Sequence, residues 1–204
     1  MAEKTKISER LDENIAHMEE LFHTCDDIKK KRMNLGKNRD VACYLTFIEV
    51  SVDMGNSALL EVLKYLRGLE REEILRVLEQ NALGTSDATY FTTIEEAGDG
   101  LLTGEAIFFV DGFAKAVKIP DDEGFGDSVK QNAALIRKRI RSPQVKVKEK
   151  KMGVRSNTNV YLVYMEGIVY PELVAKIEER LEGFEIDGVL DSGVIEQLSE
   201  EKWY

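Results

Sequence analysis

A predicted helix and two predicted strands within residues 132–167 constrain the fold of this chain more than any other segment. Four apolar residues recur through the helix at the spacing of one helical face, which we expect to be buried: Val129, Ala133, Ile136 and Ile140. Ser142 and Pro143 end the helix, because proline disfavours helical conformation in the residue that precedes it.

Two strands follow this helix. Val145 and Val147 alternate with Lys146 and Lys148, which is the period of a strand with one exposed face. Residues 152–158 have the composition of a turn. Residues 160–165 are continuously apolar, which predicts a central strand that is covered on both faces.

Basic residues are concentrated in positions 137–151, and Arg137 and Arg139 are our candidate interaction residues. One interpretation is that this run contacts lipid head groups or an acidic partner subunit. The alternative is a solvated helix face and strand whose charges are balanced by acidic residues elsewhere. Arg155 and Glu166 flank the two strands, and we expect them to form a buried ion pair that fixes the strand register.

The ordered series of residues 132–145, 152–168 and 186–198 resembles the N-terminal domain of GerA-type spore germination proteins. Members of that family carry an arginine-rich helix, a Val-Gly-x-x-Ser turn, a Tyr-x-Glu strand end and an Ile-Asp segment before a glutamate. The matching positions here are Asn132, Leu135, Ile136, Arg137, Lys138, Arg139, Gly153, Ser156, Thr158, Tyr164, Glu166, Ile186, Asp187 and Glu196.

This resemblance implies the soluble domain of a germinant receptor A subunit, or of the related stage V sporulation protein AF. It implies other receptor subunits as partners, a small nutrient as a candidate ligand, and the cytoplasmic face of the inner spore membrane as the location. Family members continue into a membrane domain, whereas this sequence stops at Tyr204. We therefore expect a part, or a truncated relative, of a longer membrane protein that would meet the membrane only through that later domain.

Composition and charge argue against several other classes of protein. The 204 residues include 28 basic and 38 acidic side chains, giving a net charge of −10, which disfavours nucleic acid as a partner. Cys25 and Cys43 are too few for a disulfide scaffold and favour a reducing compartment. The sequence begins without an apolar leader, and no apolar run approaches the roughly 18 residues of a membrane span.

We predict an α/β fold of two small mixed subdomains, residues 1–120 and 121–204, that meet at a cleft. The boundary is the cluster of turn-forming and acidic residues at 120–124. GerA-type domains carry a longer segment here, so the shortened loop near Glu123 is a departure from the family. In the first subdomain we predict an amphipathic helix over residues 7–22 and a hairpin over residues 106–119.

No catalytic or cofactor-binding pattern is present in the sequence, so we predict a protein that is not an enzyme and needs no cofactor. A metal site would have to combine His17 and His23 with Cys25, Asp26 or Asp27. The six-residue separation places the two histidines on opposite sides of a helix, which disfavours this set. A Cys25 thiolate is the other alternative, and it lacks an oriented base.

Three functional hypotheses from different classes follow. The first is a non-enzymatic signalling and assembly module that binds a nutrient in the cleft between its subdomains. The second is a structural domain that oligomerises without any ligand, and the third is a cytosolic enzyme.

Overall fold

The computed structural model describes residues 4–49, 58–83, 89–119 and 129–184, together with residues 187 and 195. The elements, in chain order, are α1 (Leu11–Leu21), β1 (Ile28–Leu35), β2 (Val41–Ile48), α2 (Ala58–Arg67), α3 (Arg71–Glu79), β3 (Thr89–Phe91), α4 (Ile94–Leu102), β4 (Ala106–Val110), β5 (Ala116–Ile119), α5 (Val129–Ile140), β6 (Val145–Met152), β7 (Thr158–Met165) and α6 (Pro171–Glu182).

The first five strands form one antiparallel sheet in the order β1-β2-β4-β5-β3. Strand β2 is buried on both faces because its successive side chains point to opposite sides. Cys43 and Leu45 pack against α2 and α3, whereas Tyr44 and Ile48 pack against α1 and α4. The sheet is therefore the middle layer between two pairs of helices.

The last two strands form a separate antiparallel pair, β6-β7, which lies between α5 and α6. On one face, Val145 and Val147 of β6 pack with Ala133 of α5. On the other face, Met152 packs with Leu181 of α6. The α/β fold class is thus confirmed, and each sheet has helices on both of its faces.

Several local predictions are confirmed. The predicted amphipathic helix of residues 7–22 corresponds to α1, which is shorter and begins only at Leu11. Ile7 precedes this helix and Phe22 follows it, and both are buried together with Leu11, Ile15 and Met18. The hairpin of residues 106–119 is the β4-β5 pair. The predicted boundary at residues 120–124 and the shortened loop near Glu123 lie outside the described residues, as do Ile186 and Glu196 of the family resemblance. The division into two subdomains therefore stays a prediction.

The predicted buried face of α5 is wrong in all but one residue. Val129, Ile136 and Ile140 are 38–47% exposed, and the buried residues are Ala133, Ala134 and Arg137. The two alanines are small, so the side of α5 that carries them can approach both sheets closely. Because that side faces inward, the larger side chains of Val129, Ile136 and Ile140 face outward. A helical hydrophobic pattern locates an apolar stripe, but a close contact between helix and sheet can select a neighbouring stripe of small residues.

The prediction that the apolar segment 160–165 is covered on both faces is also wrong. Among the described residues β7 pairs with β6 alone, and every residue of β7 is only half-buried. Its apolar side chains are shared between the α5 side and the α6 side of a two-stranded sheet, which is too small to cover them completely.

Candidate functional site

An ion pair between Arg137 of α5 and Asp27, just before β1, joins the two sheets. The guanidinium Nε and Nη2 donate to the two carboxylate oxygens over 2.5 and 2.8 Å. Arg137 is 0% exposed and Asp27 is 4% exposed. Bidentate contacts of this kind fix orientation as well as position, because both donors and both acceptors are planar.

Backbone hydrogen bonds surround this pair. The segment from Cys25 to Asp27 runs beside β6, where the Asp26 N–H donates to the Val147 carbonyl over 2.8 Å and Cys25 forms a parallel bridge with Val147. The Asp26 carboxylate in turn accepts from the Glu149 N–H over 2.8 Å. We call Cys25–Asp27, Arg137 and Val147 the inter-sheet contact.

A second polar cluster lies beside the inter-sheet contact, at the end of β7. The Glu166 carboxylate lies 3.3 Å from Lys146 Nζ and 3.0 Å from Nε2 of the His23 ring. The other ring nitrogen, Nδ1, lies 2.7 Å from the Glu20 carbonyl oxygen. Both ring nitrogens of His23 therefore lie within hydrogen-bonding distance of an oxygen atom, and Lys146 Nζ lies 3.5 Å from Nδ1.

The buried and half-buried charges perturb one another. The hydrogen bond from His23, followed by those from Lys146, lowers the pKa of the Glu166 carboxyl despite its partial desolvation. Burial raises the pKa of the Cys25 thiol, and the nearby charge of Arg137 offsets part of that rise. Burial alone would lower the pKa of Arg137, but its hydrogen bonds and charge interaction with Asp27 raise it overall. Cys25 is therefore a protonated, buried thiol that donates to the carbonyls of His23 and Val145.

A third ion-paired group links the start of α5 to the first sheet. Glu49 accepts from Lys130 of α5 over 2.7 Å and lies 3.2 Å from Lys29 of β1. Hydrogen bonds from these two lysines lower the pKa of Glu49 although partial burial opposes this change. Helix α5 is thus held to the first sheet at both Lys130 and Arg137.

The lysines of β6 are paired with the acidic face of α6. Lys148 bonds both carboxylate oxygens of Glu178 over 2.8 Å, and Lys150 lies 2.5 Å from Glu182. Together with Arg137 and Lys146, these lysines have carboxylate partners within the chain. The interpretation that the basic run is balanced by acidic residues elsewhere therefore fits these four residues, and the expectation of a largely exposed basic face is wrong for Arg137 and Lys146.

An open groove of about 610 Å³ borders the inter-sheet contact. One wall comes from residues before and within β1 and the other from β6. Its lining carries both charge signs, with the carboxylates of Asp26 and Glu149 and the ammonium groups of Lys29, Lys30 and Lys151. The groove thus lies between the start of the first sheet and β6.

The structure places the four candidate residues in different environments. Arg137 lies at the centre of the inter-sheet contact, and Arg139, two residues later, is exposed. The expected buried pair between Arg155 and Glu166 is wrong. Arg155 is exposed and lies 3.9 Å from Asp187, whereas Glu166 binds Lys146 and His23. The turn of residues 153–157 carries Arg155 away from the opposite end of the strand pair, where Glu166 lies.

Three residues of this region were not singled out from the sequence for their structural role: Asp27, Lys146 and His23. Nothing in a single sequence marks Asp27 as the partner of a residue 110 positions away. The one usable signal was the alanine pair next to Arg137, since small residues mark the side on which a helix approaches its neighbours.

A model of the family described as Bacillus/Clostridium GerA spore germination protein matches residues 16–122 and 117–204 of this chain. The chain is 29% identical to the uncharacterized membrane protein YfkQ of Bacillus subtilis, over 97% of this chain and 42% of the relative. It is 27% identical to spore germination protein GerLA of Bacillus cereus, over 76% of this chain and 36% of the relative.

The fold is similar to the crystal structure of the N-terminal domain of the A subunit of the Bacillus megaterium spore germinant receptor GerK3. The TM-score is 0.75 at 24% identity, covering 99% of this chain and 82% of that domain. The chain spans about two fifths of the length of the curated relatives it matches. No helix among the described residues is both long and apolar enough to cross a membrane. The match to the family model covers nearly the whole chain, which therefore belongs to the GerA family of spore germination proteins.

Proposed function

We propose that this chain is the N-terminal domain of a germinant receptor A subunit and acts as a non-enzymatic signalling and assembly module. The observation that carries the proposal is the buried Arg137–Asp27 pair, which joins α5 and the β6-β7 sheet to the five-stranded sheet. In this proposal the two sheets belong to the subdomains of residues 1–120 and 121–204. A conformational change in one subdomain is transmitted to the other through this pair and the hydrogen bonds that surround it.

The proposed signal is a small nutrient that binds in the groove beside the inter-sheet contact. Its lining offers carboxylates and ammonium groups at the same time, which suits a zwitterionic amino acid or a sugar rich in hydroxyl groups. A ligand held by Asp26 and Glu149 would act directly on the hydrogen bond between these two residues. Binding would thereby favour one relative position of β6 and the first sheet.

The proposed location is the cytoplasmic face of the inner spore membrane, in a complex with other receptor subunits. The family assignment supports this placement, because its relatives include germinant receptor subunits. The buried, protonated state of Cys25 and the engagement of His23 by Glu20 and Glu166 support a role other than nucleophilic catalysis.

Nuclear magnetic resonance titration tests the ligand part of the proposal. Isotope-labelled protein is titrated with a panel of amino acids and sugars to millimolar concentration, and we expect shifts at the amides of Asp26, Lys29 and Glu149. The paired substitution Glu149→Gln with Lys151→Gln removes one charge of each sign from the groove lining. It should abolish these shifts, whereas the matched pair Glu61→Gln with Lys64→Gln on exposed positions of α2 should retain them. An unchanged spectrum with every compound would reject nutrient binding and leave the assembly role standing.

The signalling part is tested in spores. The complete gene, read beyond codon 204, is fused to a fluorescent protein and expressed in a sporulating Bacillus strain that lacks the corresponding receptor. We expect fluorescence at the inner spore membrane and a germination response that is lost in Asp27→Asn but kept in the exposed Asp12→Asn control. Diffuse fluorescence together with an unaltered response in Asp27→Asn would contradict the proposal.

A second candidate function is self-association, and the outer face of α5 favours it. Leu135, Ile136 and Ile140 are 52, 38 and 47% exposed and adjoin the exposed Arg139. A second copy of this chain would bury this apolar face. We expect concentration-dependent dimers in analytical ultracentrifugation that Leu135→Glu and Ile136→Glu remove, whereas Tyr65→Glu on the exposed side of α2 leaves them intact. A monomer at every concentration would rule this candidate out.

A further inference from the structure

A cavity of about 760 Å³ lies at the end of β1, remote in the fold from the inter-sheet contact. It is lined by the last residues of β1, by the turn that leads to β2 and by the last residue of α2. In the described part of the chain, the charged residues that line it are all cationic: Arg32, Lys37, Arg39 and Arg67. The chain as a whole carries a net charge of −10, so this concentration of positive charge is opposite to the overall balance.

The cations of this cavity are weakly neutralised. Arg32 has a single contact with Asp12, at 3.4 Å, and both side chains are largely exposed. Lys37 lies 3.4 Å from Glu70 at the rim, and that carboxylate also accepts from Asn38. Exposed single ion pairs of this kind contribute little to the free energy of folding, so they hold the two cationic side chains only weakly.

The two remaining arginines stand apart from these pairs. Arg39 and Arg67 form no ion pair with any residue that the structure describes, and both are exposed. Two arginines without a carboxylate partner among the described residues therefore line the cavity.

The backbone that carries these side chains is held in place. Gly36 adopts a φ of +88°, a conformation that side-chain-bearing residues rarely take, and it starts the turn between β1 and β2. The Lys37 N–H donates to the Leu69 carbonyl over 2.8 Å, which ties this turn to the segment after α2. The Arg39 N–H donates to the Gly36 carbonyl over 3.1 Å. Arg39 and Arg67 thus project from two backbone segments that are bonded to each other.

We propose that this cavity is a binding site for an anionic ligand that carries phosphate groups. A guanidinium presents parallel N–H donors that match the spacing of two oxygens on a phosphate, and two such groups favour a ligand with more than one negative charge. The volume lies within the range of small-molecule sites, which is about 300–1,000 Å³. The phosphate can belong to a free molecule or to the head group of an anionic lipid, since the same donors would recognise either. The proposal is independent of nutrient binding in the groove.

The test compares two charge-matched double variants of the chain. Arg39→Gln with Arg67→Gln removes the two unpaired cations of the cavity. Lys31→Gln with Lys64→Gln removes two exposed cations from β1 and α2, outside the cavity lining, and serves as the control. Each protein is titrated with inorganic pyrophosphate by calorimetry and is sedimented with vesicles of phosphatidylglycerol or of phosphatidylcholine.

We expect the unaltered chain to bind at least one probe, and each arginine removed to weaken that binding about tenfold. Pyrophosphate binding that is lost only in the arginine variant identifies a free phosphate compound as the ligand. Sedimentation with phosphatidylglycerol alone, again lost only in that variant, identifies a lipid head group. The proposal is overturned if neither probe binds the unaltered chain. It is also overturned if both double variants bind as tightly as the unaltered chain, or if both lose the same amount of affinity.

Discussion

The guanidinium of Arg137, on the helix before the second sheet, donates two hydrogen bonds to the carboxylate of Asp27, just before the first strand of the other sheet. The two residues are 110 positions apart, and both are buried. A buried ion pair does little for net stability compared with an apolar replacement of equal shape, but it is costly to break. It therefore makes the relative position of the two sheets specific, because any other arrangement would leave a buried charge without its partner.

Arg137→Ala should destabilise the protein by about 3–5 kcal/mol, because it leaves the Asp27 carboxylate buried and unpaired. Urea unfolding followed by circular dichroism measures this change. The control is Arg139→Ala on the exposed side of the same helix, which should change the free energy of unfolding by less than about 0.5 kcal/mol. Equal effects of the two substitutions would contradict the structural assignment of Arg137.

A further variant separates the charge from the packing. Replacing both partners, Asp27→Leu with Arg137→Met, removes the charges together and fills the space with apolar atoms. This double variant should be more stable than either single replacement by about 2 kcal/mol or more, because each single replacement leaves an unpaired buried charge and the double variant leaves none. A double variant that is as unstable as the sum of the single variants would show that the two residues do not act as a pair.

Glu166 gives the protein a specific pH dependence. The hydrogen bonds from His23 and Lys146 lower the pKa of its carboxyl below the ordinary value of 4.5 in the folded state. The ionised Glu166 therefore stabilises the folded state fully at pH values above the pKa that its carboxyl has in the unfolded chain. This stabilisation is lost as the pH falls through the lower pKa that the carboxyl has in the folded protein. Glu166→Gln should destabilise the protein by about 0.5–1 kcal/mol at pH 7, because the half-exposed carboxylate is screened by solvent.

This difference between Glu166→Gln and the unaltered protein should shrink below pH 4.5 and vanish in strong acid. Urea unfolding at a series of pH values measures it. The control Glu172→Gln lies on an exposed position of α6 and should change the free energy of unfolding at pH 7 by less than about 0.5 kcal/mol. If the difference in free energy of unfolding between Glu166→Gln and the unaltered protein stays constant down to acidic pH, Glu166 makes no charge-dependent contact in the folded state.

An apolar pattern made the β4-β5 hairpin of the first sheet predictable. In β4 the side chains of Phe108 and Val110 face α2 and α3, whereas Ile107 and Phe109 face α1 and α4. Both sets are apolar, so a short continuous apolar run predicted a strand covered on both sides. The helix of residues 7–22 was equally clear, because its buried positions follow a single helical stripe.

The inter-sheet contact was not predictable in the same way. Hydrophobic patterning assigns charged side chains to the solvent, whereas Arg137 and Lys146 are 0% and 1% exposed. Their burial depends on carboxylates that the fold brings from distant parts of the chain, Asp27 from before β1 and Glu166 from the end of β7. A pattern read along one segment contains no information about such partners.

Cys25 and Cys43 should react slowly with thiol reagents while the protein is folded. Both side chains are buried, and desolvation raises the pKa of the Cys25 thiol and raises that of Cys43 to about 12. The thiolate is the reactive form, so little of it exists at pH 8 in the folded protein. Ellman's reagent should detect both thiols promptly in guanidinium chloride and only after a long delay in buffer. Immediate reaction of either thiol in buffer would place it at the surface.

Gly100, in the middle of α4, should not tolerate alanine, although alanine ordinarily favours a helix over glycine by roughly 1 kcal/mol. A Cβ atom built at this position would lie 2.7 Å from Cε2 of the Phe91 ring on β3, so the helix or the strand would have to move. We expect Gly100→Ala to destabilise the protein by about 1–2 kcal/mol, because overpacking outweighs the gain in helix propensity. The neighbouring exposed Asp99→Ala is the control, with an expected change below about 0.5 kcal/mol. Thermal unfolding measures both variants, and a rise in the melting temperature of Gly100→Ala would show that α4 and β3 are not packed this closely.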